Sequence, residues 1–262
     1  MITAVLASKI YSENQLAIVE EHLKTLFEGL KVKVEKIEIA AENRIRTIFS
    51  GEDEKAALRL IEKEIGLSPT RIEDFKKFST VKGYINNLDK SRDEVSVDIG
   101  VAYPKTLNAI IPLQRLQAQL ADGRKIALQK IAELYSLSDN MPIIVKITNL
   151  SEKNIEAELA ETQLATYKRW VKSVFDRILI LGASIQEVRK AIKHARCQND
   201  LITVEPLGLF EHAVVCKLGT DAVGLIPKLG KHLQGAKLEA FKPKTLIEFF
   251  KTSILSNENP SM

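Results

Sequence analysis

Between Arg177 and Phe241 the chain runs strand, helix, strand, strand, helix, strand, and that order admits very few folds. Arg177 to Leu181 is a short apolar strand, and Ile185 to Ala195 has helical spacing. Leu201 to Leu207 and Phe210 to Leu218 pair as a hairpin; Ala222 to Leu233 is a second helix, and Ala236 to Phe241 the last strand. Right-handed crossovers allow two β-α-β units split around a hairpin to close into one antiparallel sheet with both helices on one face. The expected architecture is a ferredoxin-like α/β sandwich. Pro243 closes it, and Leu246, Phe249, Phe250 and Ile254 follow at helical spacing. That stretch either docks in cis, the cheaper assumption, or forms a homodimer seam. A polar tail from Ser256 to Met262 is expected to fray.

The opening of the chain has most of the same grammar. Ile2 to Ile10 alternates as a half-buried strand, and Ser12 to Gln15 has the S-x-x-Q form of a capping box. Leu16, Val19, Leu23, Leu26, Phe27 and Leu30 then share one helical stripe. Lys31 to Ile39 and Arg44 to Phe49 read as strands. Ser50 is the expected cap of a second helix ending at Gly66, and a weakly patterned fourth strand is expected near Arg71 to Phe78.

From Lys76 the pattern changes to short strands with polar turns. Val81 to Ile85, Val95 to Ile99 and a strand ending at Pro112 come first. A helical stretch from Arg124 to Leu137 then precedes strands at Ile143 to Ile147 and Ile155 to Leu159. Five strands with a helix before the fourth is the order of an OB-fold barrel; a small irregular β domain is the alternative. Because 262 residues exceed a comfortable single core, three domains are expected, at 1–75, 76–164 and 165–262. The class is α+β: two ferredoxin-like sandwiches around an OB-like barrel.

Two cysteines, Cys197 and Cys216, cannot build a disulfide framework, and no segment is apolar for long enough to cross a bilayer. MITAVLASK lacks a signal peptide's basic start, so a cytoplasmic protein without membrane contact is expected. The net charge of +4 is mild, but it is unevenly spread: −3 over residues 1–75, +1 over 76–164 and +6 over 165–262. The excess gathers around Lys168, Arg169, Lys172, Arg189, Lys193 and Arg196, the last three on one helix face. Such a face neutralises phosphates; the plainer reading is a solvated helix surface. On the barrel, Lys82 and Tyr84 point opposite Val81 and Ile85, with Arg92, Tyr103 and Lys105 in adjoining turns. Tyrosine and basic residues on one face grip single strands; the alternative is that the tyrosines only pack.

Other signals are weaker. His194, Cys197, His212 and Cys216 are zinc-ligand types, but Val214 and Leu218 mark the strand face of Cys216 as core. Gly219-Thr220-Asp221 precedes a helix without the lysine of a P-loop, and an N-cap is the simpler reading. No nucleophile stands beside a base, and the common hydrolase, metalloprotease and dinucleotide motifs are missing. No catalytic residue, metal or cofactor is assigned.

The pieces Asp200-Leu201-Ile202-Thr203-Val204-Glu205, Leu207-Gly208-Leu209 and Val215 to Asp221 resemble an archaeal family catalogued as domain of unknown function 2110, as does the opening TAVLASKIY. Pro206 and Cys197 depart from that family's pattern. The resemblance implies an archaeal cytosolic protein and brings no activity or site residues with it. The expected function is non-enzymatic RNA binding in information processing, with a ribosomal subunit or another translation component as partner. Alternatives are a transcription-machinery adaptor whose basic helix meets an acidic protein, and, more weakly, a small-ligand sensor.

Overall fold

The computed structural model describes residues 1–69, 71–88, 93–102, 105–151 and 154–257. The chain begins with β1 (Ile2–Lys9), α1 (Gln15–Leu26), β2 (Val32–Ile39), β3 (Arg44–Gly51) and α2 (Glu54–Glu64). The strands form an antiparallel sheet in the order β1-β3-β2. Ala4, Leu6, Ile45 and Phe49 pack from one sheet face onto Val19, Leu23, Ala57 and Ile61 of the two helices. Neither expected serine caps its helix. Gln15 instead turns inward, accepting from Tyr11 N–H at 2.8 Å, and Ser50 Oγ donates to Glu35 at 2.9 Å. The fourth strand expected near Arg71 to Phe78 is not formed, and Ile72–Asp74 is a 3-10 turn. Its place beside β1 is taken by a shorter piece: Ala7 N–H donates to Gly66 O at 2.9 Å, and Ser68 N–H to Val5 O at 2.8 Å. Pro69 follows at once and has no N–H to continue the ladder.

The middle of the chain gives β4 (Thr80–Asn86), β5 (Glu94–Val101), β6 (Leu107–Pro112), α3 (Leu113–Leu120), α4 (Leu128–Tyr135), β7 (Pro142–Leu150) and β8 (Ile155–Leu159). The strands close into a barrel in the order β4-β5-β6-β8-β7, with β6 and β8 parallel and β7 returning to β4. This is OB-like connectivity, with two helices in the connection where a single helical stretch was expected. Ile85, Val97, Ile99, Ile111, Val145, Ile147 and Ala157 fill its core. Gly83 permits the tight curl of β4 over β5. A Cβ there would stand 2.5 Å from Val97 Cγ1 and 2.8 Å from Asp98 O.

The last part comprises α5 (Glu161–Ser173), β9 (Arg177–Leu181), α6 (Ile185–His194), β10 (Leu201–Pro206), β11 (Glu211–Cys216), α7 (Ala222–Gly230), β12 (Lys237–Phe241) and α8 (Pro243–Asn257). Its sheet is antiparallel with the order β10-β11-β9-β12, the full ferredoxin-like arrangement. Ser184 starts α6 with a capping box: Glu187 accepts from Ser184 N–H at 2.7 Å, and Ser184 Oγ accepts from Glu187 N–H at 3.3 Å. Alternation along β9 then divides two cores. Ile178 and Ile180 meet Val188, Ile192, Leu225 and Leu229 beneath α6 and α7. Leu179 and Leu181 face the other way and join Tyr167, Trp170 and Phe241 in a core continuous with the barrel interior. Leu246, Phe249 and Phe250 of α8 pack on that same core, so this helix docks in cis.

Candidate nucleic-acid interface

Lys82 and Tyr84 do lie outside the barrel, but the outside of β4 is covered by the first and third units. Tyr84 is 0% exposed, with Lys9 Nζ and Arg44 Cζ at 5.4 and 5.7 Å from its ring centroid. The expectation that Tyr84 stacks on a base is therefore corrected: its ring is an interior packing surface for two cations. Lys82 is mostly withdrawn as well, donating to Leu207 O at 2.7 Å. Arg92 and Tyr103 lie outside the described residues; Lys105 is exposed.

The groups around Tyr84 form a buried polar junction that the sequence reading missed. Lys9 Nζ meets Asp98 at 2.6 Å, and Arg44 meets the same carboxylate at 3.2 Å while donating to Ala7 O and Asp98 O at 2.8 and 3.1 Å. Tyr11 donates to Glu211 at 2.9 Å, and Gln15 to Gly182 O at 2.8 Å. Residues of all three units thus converge. Charges so withdrawn from water persist only when paired or neutralised. Burial works to raise the Asp98 carboxyl, yet Arg44 and Lys9 outweigh it and hold the group below its ordinary value. Glu211 has no such pair. Burial pushes it up to about 7, opposed by the Lys82 charge and the Tyr11 hydrogen bond. Burial likewise lowers Lys82 and raises Tyr11. The available sequence signal is a charged residue inside an apolar strand, as at Lys9 and Glu211; their partners come only with the tertiary fold.

The basic residues remain at the surface but separate into two groups. Lys168, Arg169 and Lys172 are exposed on α5, whose inner side carries Tyr167 and Trp170. Arg189, Lys190, Lys193 and Arg196 are exposed on and just after α6. Because α5 and α6 pack on opposite faces of the third sheet, these bases do not form the single surface their nearness in sequence suggests. The α6 group is extended by the end of α7. His194 and His232 rings lie 5.6 Å apart, and Lys228 is near enough to act on Cys197. Among the described residues, no acidic side chain stands within ion-pair distance of Arg189, Lys190, Lys193, Arg196, Lys228 or Lys231.

Remaining candidates take structural places. Cys197 and Cys216 are buried free thiols, and burial raises both, Cys216 to about 12. Leu218, expected on the core face with Cys216, is past the end of β11 and 68% exposed. His212 Nε2 donates to Ala183 O at 3.0 Å, and burial lowers its pKa. Among the described residues no group of three or more His, Cys, Asp or Glu could hold a metal. Asp221 caps α7 by accepting from Gly224 N–H at 3.0 Å. A cleft of about 730 Å³ beside β1 and β3 is lined by Val5, Arg44, Arg46, Leu67 and Gly100, and includes none of the expected site residues.

Fold and surface together define a three-unit α+β protein: an OB-like barrel between a shortened and a complete ferredoxin-like unit, with bases on its last unit. Residues 75–171 match the DUF2110 central domain and residues 175–241 the DUF2110 C-terminal domain; the chain belongs to the DUF2110 family. The first match ends within α5, after Lys168 and Arg169. No curated protein matches the chain. No helix among the described residues is long and apolar enough to cross a membrane.

Proposed function

We propose that this protein binds RNA without catalysing a reaction, as a cytoplasmic component of translation with ribosomal RNA as its partner. The contact surface is the outer face of α6 with the end of α7. One observation carries this reading: Arg189, Lys190, Lys193 and Arg196 are exposed together, with no acidic partner among the described residues. A cationic face without internal partners gains most from phosphates, whose condensed counterions are released on binding. The barrel supports the reading less than its connectivity suggests, since the outer face of β4 is occupied by the junction.

Anisotropy titrations of a structured RNA over a salt series test the proposal. Reversing two charges, Arg189→Glu with Lys193→Glu, is expected to weaken binding across sequences and to flatten the salt slope by about two. Lack of affinity at low salt, or a double variant that binds like wild type, overturns it. The adaptor reading uses the same bases against an acidic protein of the transcription machinery. Native capture that survives ribonuclease and returns polymerase rather than ribosomal subunits would decide for that reading.

A further inference from the structure

Immediately before β4, Lys76, Lys77 and Phe78 are exposed in succession. Phe78 is 62% exposed and has φ of 68°, the left-handed region that a bulky side chain avoids. The strain is held by the β7 ladder: Phe78 N–H donates to Ile147 O at 2.7 Å, and Ile147 N–H donates to Ser79 O at 2.9 Å. No burial compensates, because most of the ring stays in solvent. Backbone strain of this kind at an exposed aromatic points to a task for the ring.

Its surroundings indicate which task. Lys77 Nζ and Lys146 Nζ stand 5.3 and 5.6 Å from the ring centroid. Lys146 also lies 3.5 Å from Glu158 of β8, which Arg115 approaches at 3.9 Å. The ring therefore stands among cations on the outside of the barrel, over β7 and β8. An apolar protein partner would need neighbouring exposed apolar side chains, and among the described residues β4, β7 and β8 carry no large one. A nucleotide supplies both complements: a π-face for the ring and phosphates for the lysines.

We propose that Phe78 is a platform on which one unpaired base of a single-stranded nucleic acid stacks, with Lys77 and Lys146 contacting the adjoining phosphates. This site is separate from the α6 face and rests on the nucleic-acid reading. The test compares the wild-type chain with Phe78→Ala and Phe78→Trp, using a labelled single-stranded RNA oligonucleotide and the same sequence as a duplex. Phe78→Ala is expected to lose roughly five- to a hundredfold in single-strand affinity and to keep its duplex affinity. Phe78→Trp is expected to keep single-strand affinity, and its indole emission should be quenched as the oligonucleotide binds. Equal single-strand affinity of Phe78→Ala and wild type, or unchanged emission at saturation, overturns the platform and leaves the α6 face standing. Failure of the wild-type chain to bind either form at low salt removes both.

Discussion

At Glu211 a single carboxyl group from the third unit meets Tyr11 of the first and the charge of Lys82 from the barrel. Its pKa is about 7 in the folded chain against an ordinary 4.5, so the folded state holds the proton more tightly than the unfolded one. The resulting stabilisation is complete below about 4.5 and is lost as pH rises through about 7. Unfolding free energies from denaturant melts between pH 5 and pH 8 should therefore fall more steeply for wild type than for Glu211→Gln, by at most about 3 kcal/mol. A constant gap between the two proteins across that range contradicts this account. Asp98 has the opposite sign: its lowered pKa makes its contribution disappear only as pH falls below the carboxylate range. Phe78 offers a second residue-scale prediction. Glycine tolerates positive φ, so Phe78→Gly should raise unfolding stability by about 1 kcal/mol by thermal or denaturant melts. The same change should weaken single-strand binding. A stability loss would mean that the ring packs more than its exposure suggests.

Among the elements, β4 runs close over β5 at Gly83. Gly83→Ala is expected to destabilise the barrel by about 1–3 kcal/mol, read as a lower denaturant midpoint, because Val97 and the Asp98 carbonyl have no room to retreat. At the start of α6, Ser184→Ala should cost about 1 kcal/mol through the broken capping box. Element order was largely legible from periodicity, since each strand and helix carries its own apolar pattern. What the pattern does not encode is the identity of the covering surface. Alternation places Lys82 and Tyr84 outside the barrel, yet "outside" here means against Lys9, Arg44 and Leu207 rather than water. For the same reason Lys172 and Arg189 are close along the chain but lie on opposite sides of a sheet whose two faces are both buried. Lys76-Lys77-Phe78 carried no periodic signal at all. Its significance lies in a backbone angle, which a sequence does not display. The missing fourth strand was signalled by Pro69, one residue after the short pairing with β1 ends.

Across the whole molecule the units are coupled through charge as well as apolar packing. The barrel's Asp98 has both of its cations, Lys9 and Arg44, in the first unit. A chain reduced to residues 76–262 would keep the carboxylate and lose both partners, so it should unfold at markedly lower denaturant than the full chain. Asp98→Asn should recover part of that loss in the shortened chain and destabilise the full one. If the substitution acts with the same sign in both, the ion cluster is not what joins them. The junction also bears on the chain's birth. A ribosome delivers the amino end first, so Lys9 and Arg44 emerge before their carboxylate exists outside the exit tunnel. Tyr11 waits longest, for an acceptor 200 positions downstream. The contacts that join the first unit to the third can therefore be completed only once the final hairpin has emerged.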